Sequence, residues 1–82
     1  MFKIGRVINY YEKVQMAIIE LDGILALGDN ITFIRNGDEL FDLKIDLIQV
    51  GHTQIEVAQK GQVIALKVPN KITNGTYIYK KN

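Results

Sequence analysis

The chain has no cysteine and no tryptophan, a single proline and a single histidine. Without thiols, disulfides, thiolate metal sites and cysteine nucleophiles are excluded, and a reducing compartment is compatible with the composition. His52 has no second histidine to complete a ligand set, so it reads as a surface-loop residue, and neither a metal nor a cofactor is expected. No Gly-x-x-x-x-Gly-Lys-Ser/Thr stretch occurs to cradle phosphates, which argues against nucleotide binding of that kind. No apolar run approaches the ~18 residues of a membrane span, and Met1-Phe2-Lys3-Ile4-Gly5-Arg6 lacks the apolar core of a signal peptide. The expected location is therefore the cytoplasm, with no membrane contact.

What is present suits one compact β domain covering residues 1–82, with 48% apolar and 23% charged residues. Chains of this length hide only roughly 60% of the surface their unfolded form exposes, enough for a single modest core. The net charge of +1 predicts no polyanionic partner by itself, but the charges are unevenly placed. Residues 1–19 hold Lys3, Arg6 and Lys13 against Glu12, and residues 57–82 hold five lysines and no acid. Between them, residues 20–56 set eight carboxylates against Arg35 and Lys44, so two basic ends flank an acidic middle.

Short strands separated by turn residues account for most of the chain. Phe2 to Tyr11 alternates apolar and polar positions with a slip beside Gly5, which is what a bulge produces. Tyr11-Glu12-Lys13 reads as a tight connection to a second strand, Val14 to Leu21. Ile24, Leu25 and Leu27 then plug one end of the core before the Gly28-Asp29 corner, where glycine supplies backbone freedom and the carboxylate can accept from free N–H groups. Asn30 to Arg35 and Phe41 to Leu47 flank Asn36-Gly37, a strong hairpin signal. Gln54 to Gln59 is at most a helical turn, and Gly61 opens a strand from Gln62 to Val68 that Pro69 ends. Asn74-Gly75 turns into the last strand, Thr76 to Tyr79. Six or seven such strands, with almost no helix, predict an all-β fold closed into a small Greek-key barrel, since closure removes sheet edges.

Asp42 and Asp46 share a strand face with Lys44, which reads as a solvated exterior and not as a catalytic acid/base pair. A richer grouping lies at the chain ends. All four tyrosines, Tyr10, Tyr11, Tyr77 and Tyr79, sit in the first and last strands with Lys3, Arg6, Lys13, Lys71, Lys80 and Lys81. Brought together by closure, these side chains would offer cations for phosphates and flat rings for bases, the requirements of a single-stranded RNA surface.

The order of the glycine motifs carries a family resemblance. Gly5-Arg6-Val7, then Gly23-Ile24-Leu25-Ala26-Leu27-Gly28-Asp29, then His52 to Val63 with Glu56, Ala58 and Gly61 inside it, then Asn74-Gly75, resembles the second domain of translational GTPases such as elongation factor Tu. A similar barrel closes collagenase-like peptidases as an accessory module. Gln62 after Gly61 and Thr76 after Gly75 depart from the pattern, where acidic residues are common. The resemblance implies a six- or seven-stranded barrel that is not itself an enzyme. The leading functional expectation, motivated by the basic, tyrosine-bearing ends, is a module contacting RNA or a ribonucleoprotein through the terminal strands. The alternative is an accessory, protein-binding barrel working beside a separate catalytic partner such as a collagenase-like peptidase.

Overall fold

A computed structural model describes residues 1–81, and among them the chain forms ten strands and no helix. They are β1 (Phe2–Tyr11), β2 (Met16–Leu21), β3 (Leu25–Ala26), β4 (Asn30–Arg35), β5 (Asp38–Lys44), β6 (Ile48–Val50), β7 (Thr53–Ile55), β8 (Val57–Ala58), β9 (Val63–Lys67) and β10 (Tyr77–Lys80). Eight make one sheet in the order β5-β4-β10-β1-β2-β9-β6-β7, and β3 pairs with β8 separately. Every ladder is antiparallel. Alternate residues of these strands, with Leu25 of β3, supply a continuous core that includes Ile4, Val7, Ile19, Leu21, Leu25, Ile31, Phe33, Ile48, Ile64, Leu66 and Ile78, all essentially inaccessible. Phe33 and Phe41 stack across β4 and β5 with ring centroids 4.6 Å apart, a cross-strand contact of the kind that fixes register.

The sheet is not closed. No ladder joins its outer strands, β5 and β7, which corrects the expectation of a closed barrel. The reason is local. Ile45 leaves the end of β5 by bonding to the Gly28-Asp29 corner, its N–H donating to Asp29 O (2.8 Å) and its carbonyl accepting from Gly28 N–H (2.7 Å). On the other side Leu27 N–H donates to Glu56 O (2.9 Å), and Leu25 and Ala26 pair with Ala58 and Val57. Residues 25–29 thus bond to Ile45, just past β5, and to Glu56, Val57 and Ala58, just past β7, bridging the two sides where no β5–β7 ladder forms. The exposed edge of β5 carries Asp38, Glu39, Asp42 and Lys44, charges of the sort that discourage edge-to-edge aggregation.

Other expectations shift by smaller amounts. The second strand starts at Met16, and residues 12–15 form the turn, with Gln15 at φ 56°. Of the residues expected to plug the core, Leu25 does so, whereas Ile24 (52% exposed) and Leu27 (42%) face outwards. The stretch proposed as a helical turn forms β7 and β8. Asn36 and Gly37 both take positive φ, as their hairpin requires.

The register of β1 slips twice, between Lys3 and Gly5 against β10 and between Val7 and Asn9 against β2. The first slip sits beside Gly5 as expected. There the strands approach so closely that a Cβ on Gly5 would lie 2.7 Å from the Glu20 carbonyl oxygen.

Candidate functional site

The terminal strands do lie side by side, with Phe2 opposite Lys80, Lys3 opposite Tyr79 and Arg6 opposite Tyr77. The expected tyrosine surface nevertheless does not assemble. Tyr10 and Tyr11 pair with Ala17 and Met16, beyond the end of β10. At ~3.3 Å per residue they stand about 23 Å along β1 from Lys3. Tyr10 also points inwards, packing against the core and donating its hydroxyl to Val68 O at 2.7 Å. Tyr77 faces solvent with the Lys3 ammonium 4.7 Å above its ring, and Tyr79 is half-buried.

The cations are largely neutralised where they stand. Both Nε and Nη2 of Arg6 donate to Glu20 Oε1, at 3.2 and 3.1 Å. Lys3 meets Asp22 (3.8 Å), Lys71 meets Glu12 (3.5 Å), Lys80 meets Asp29 (3.0 Å) and Lys81 meets Asp42 (2.8 Å). Among the described residues only Lys13 of the six nominated cations lacks a carboxylate partner. Exposed pairs of this kind contribute little to stability. Together they cancel the positive field that phosphate binding draws on. The acidic middle and the basic ends, separate in sequence, are interleaved in space.

Asp42 and Lys81 form the shortest of these pairs. The Lys81 ammonium holds the Asp42 carboxyl below its usual range, and the carboxylate holds Lys81 above its own. Asp42 is therefore an ion-pair partner, which leaves no acid/base pair with Asp46.

The Gly28-Asp29 corner is the most tightly tied point. Asp29 Oδ2 accepts from Ala26 N–H at 2.9 Å and also receives Lys80 Nζ, with both charged side chains three-quarters buried. A single carboxylate thus fastens the corner in the gap to β10, as the Gly-Asp signal implied for the turn but not for its distant partner.

Beside this corner, where residues 45–47 leave the ladder, the structure contains a cavity of about 210 Å³ lined by Leu27, Asp46, Leu47, Ile48, Gln54, Ile55 and Glu56. Leu27, Leu47, Ile48 and Ile55 form apolar walls, and Asp46 and Glu56 are carboxylates with no ion-pair partner among the described residues. Sequence reasoning missed this site. Its only trace was the surplus of acids in residues 20–56, because the residues that line it are brought together by the gap in the sheet. His52 is exposed in the turn between β6 and β7, and no group of three or more metal-capable side chains occurs among the described residues. No helix there is long and apolar enough to cross a membrane.

Comparison with known proteins finds similarity to a protease and to a domain of a peptidase. No family model matches the chain. An uncharacterized protease of Methanocaldococcus jannaschii is 34% identical over 77 residues, which are 94% of this chain and 19% of that protein. The chain thus spans about a fifth of the length of the relative it matches. Among solved structures, the C-terminal domain of a Geobacillus thermoleovorans protein described as a U32 peptidase superposes with a TM-score of 0.89 at 20% identity, covering 99% of this chain and 93% of that one. Its selenomethionine variant gives 0.88 at 19% identity, with 99% and 100% covered. The fold is therefore that of this C-terminal domain, and the peptidase side of the resemblance is the one the comparisons support. They lend no support to the elongation-factor side, nor to RNA binding.

Proposed function

We propose that residues 1–82 constitute a single non-catalytic accessory module that binds a U32-type peptidase catalytic region and supports its action on protein substrates. The observation that carries this reading is the pairing of two coverages. Nearly all of this chain aligns with a small fraction of a protease, and its fold matches a separately crystallised domain from the C-terminus of a peptidase. The remaining four-fifths of such a protein is where a catalytic centre has room to reside. The residue content agrees, since there is no cysteine, one exposed histidine, and the aspartate nearest to a catalytic reading is held by Lys81.

The test is reconstitution in trans. A U32-type catalytic region produced without its own C-terminal domain is titrated with this chain, following the complex by calorimetry and peptide hydrolysis in parallel. Saturable association, with or without a change in turnover, is the expected result. Absence of association, together with retention of labelled single-stranded RNA by the isolated chain, would overturn the reading in favour of the RNA alternative.

A further inference from the structure

We infer that the cavity at the gap in the sheet is a receptor for one basic side chain, lysine or arginine, carried on an extended segment of a partner protein. Four observations converge on that occupant. At about 210 Å³ the cavity is smaller than the ~300–1,000 Å³ of ordinary small-molecule sites, yet has room for about seven waters, the scale of one long side chain. Leu27, Leu47, Ile48 and Ile55 provide walls for an aliphatic stem. Asp46 and Glu56 add two carboxylates to the same lining. Elsewhere Glu12, Glu20, Asp22, Asp29 and Asp42 are each matched by a cation of the chain itself; of the four carboxylates left unmatched among the described residues, Asp46 and Glu56 are the two that line the cavity, and Asp38 and Glu39 stand on the edge of β5.

The fourth observation concerns the main chain. Asp46 and Leu47 lie between β5 and β6, outside either strand, and neither takes part in a backbone hydrogen bond among the described residues. An extended segment entering here can pair with those free groups while its basic side chain fills the cavity, so that main-chain bonds give affinity and the pocket gives selectivity. Alkyl contact along the stem combined with charge-assisted bonds at the tip is how lysine and arginine bury their length. Only the identity of the partner rests on the accessory-module reading; the recognition chemistry is independent of it.

The experiment is an NMR titration of the ¹⁵N-labelled chain with N-acetyl-arginine methylamide, with the lysine and citrulline analogues as parallel arms. Saturable shifts at the amides of Leu27, Leu47, Ile55 and Glu56 are expected, weakening as salt is raised. Citrulline, which keeps the shape and loses the charge, is expected to bind at least tenfold more weakly. The Asp46→Asn/Glu56→Gln variant is expected to lose arginine binding to the same degree, its own spectrum reporting whether it is folded. Equal shifts with citrulline, shifts centred on Asp38 and Glu39, or no saturable shift with either cationic ligand would each overturn the inference. If the variant loses the small ligands yet still associates undiminished with the catalytic region, the cavity is not the docking point and the accessory reading stands without it.

Discussion

Replacing Gly5 by alanine tests how closely β1 and β2 are packed beneath the terminal strands. The added carbon would lie 2.7 Å from the Glu20 carbonyl oxygen, 3.1 Å from Ile19 Cγ2 and 3.4 Å from Ile78 Cδ1, where ordinary contact begins at 3.4 Å. The worst contact is thus 0.7 Å too short, and it is against backbone, which cannot rotate away. Overpacking of this kind costs about 1–3 kcal/mol. The backbone angle of Gly5 is outside the left-handed region, so alanine adds no strain there and recovers about 0.4–1 kcal/mol by restricting the unfolded chain. The balance is a loss of roughly 1–2 kcal/mol. For a domain of this length that lowers the melting midpoint by about 4–16 °C. Urea and thermal unfolding of the native chain and Gly5→Ala measure it directly. Gly23→Ala is the matched control, because its nearest neighbour is the Ile4 Cγ2 methyl at 3.3 Å, which can yield; its stability is expected to change by less than about 0.5 kcal/mol. A Gly5→Ala midpoint equal to or above the native one would refute the close approach of the two strands.

Asp29→Ala removes the acceptor of Ala26 N–H and the partner of Lys80 together. A loss of about 1–3 kcal/mol in urea unfolding is expected, and Lys80→Met is expected to cost less because it leaves the turn bond in place. Tyr10→Phe deprives Val68 O of its hydroxyl donor and is expected to cost about 1 kcal/mol by the same assay. Because Asp42 titrates below its usual value in the folded chain, its pairing stabilises the fold above about pH 3.9 and is lost as pH falls through the lowered folded value. Lys81 is raised, so its contribution is present below about pH 10.4 and is lost as pH climbs through the raised folded value. Carboxyl ¹³C titration is expected to show the Asp42 midpoint moving upward in Lys81→Met. Fluorescence anisotropy with labelled single-stranded RNA at low salt is expected to show no saturable binding; tight, salt-sensitive binding would overturn the neutralisation argument.

Local chemistry was legible in the sequence, and long-range pairing was not. Asn36-Gly37 and Gly28-Asp29 announced their turns because positive φ and side-chain acceptors act within a few residues. The alternation from Phe41 to Leu47 marked a strand with one face against the core, but that strand starts at Asp38 and ends at Lys44. Tyr10 was misplaced because a strand side chain changes face with a one-residue slip. From inward-facing Val7, an uninterrupted strand sends Tyr10 outwards, and the irregularity between Val7 and Asn9 returns it to the core. The RNA surface rested on charges counted by segment, yet Arg6 finds Glu20, Lys80 finds Asp29 and Lys81 finds Asp42 only after the sheet is assembled. Closure was inferred from the need to hide edges. Nothing in Ile24 to Asp29 read locally shows that this segment fills the gap instead of a ladder.

The position of β10 has a consequence for how the molecule comes into being. In the eight-stranded sheet, Tyr77–Lys80 alone ties β4 and β5 to the other five strands, by pairing with β4 on one side and β1 on the other. Within that sheet, β4 and β5 therefore stay apart from the other strands until these four residues are in place, and only the bonds of residues 25–29 to Ile45 and to residues 56–58 link the two parts outside it. Contacts between positions so distant in the chain carry a large loop-closure penalty and form late. Completion of this sheet depends on β10, and a chain lacking Tyr77–Lys80 has no means of joining β4 and β5 to the other strands through that sheet.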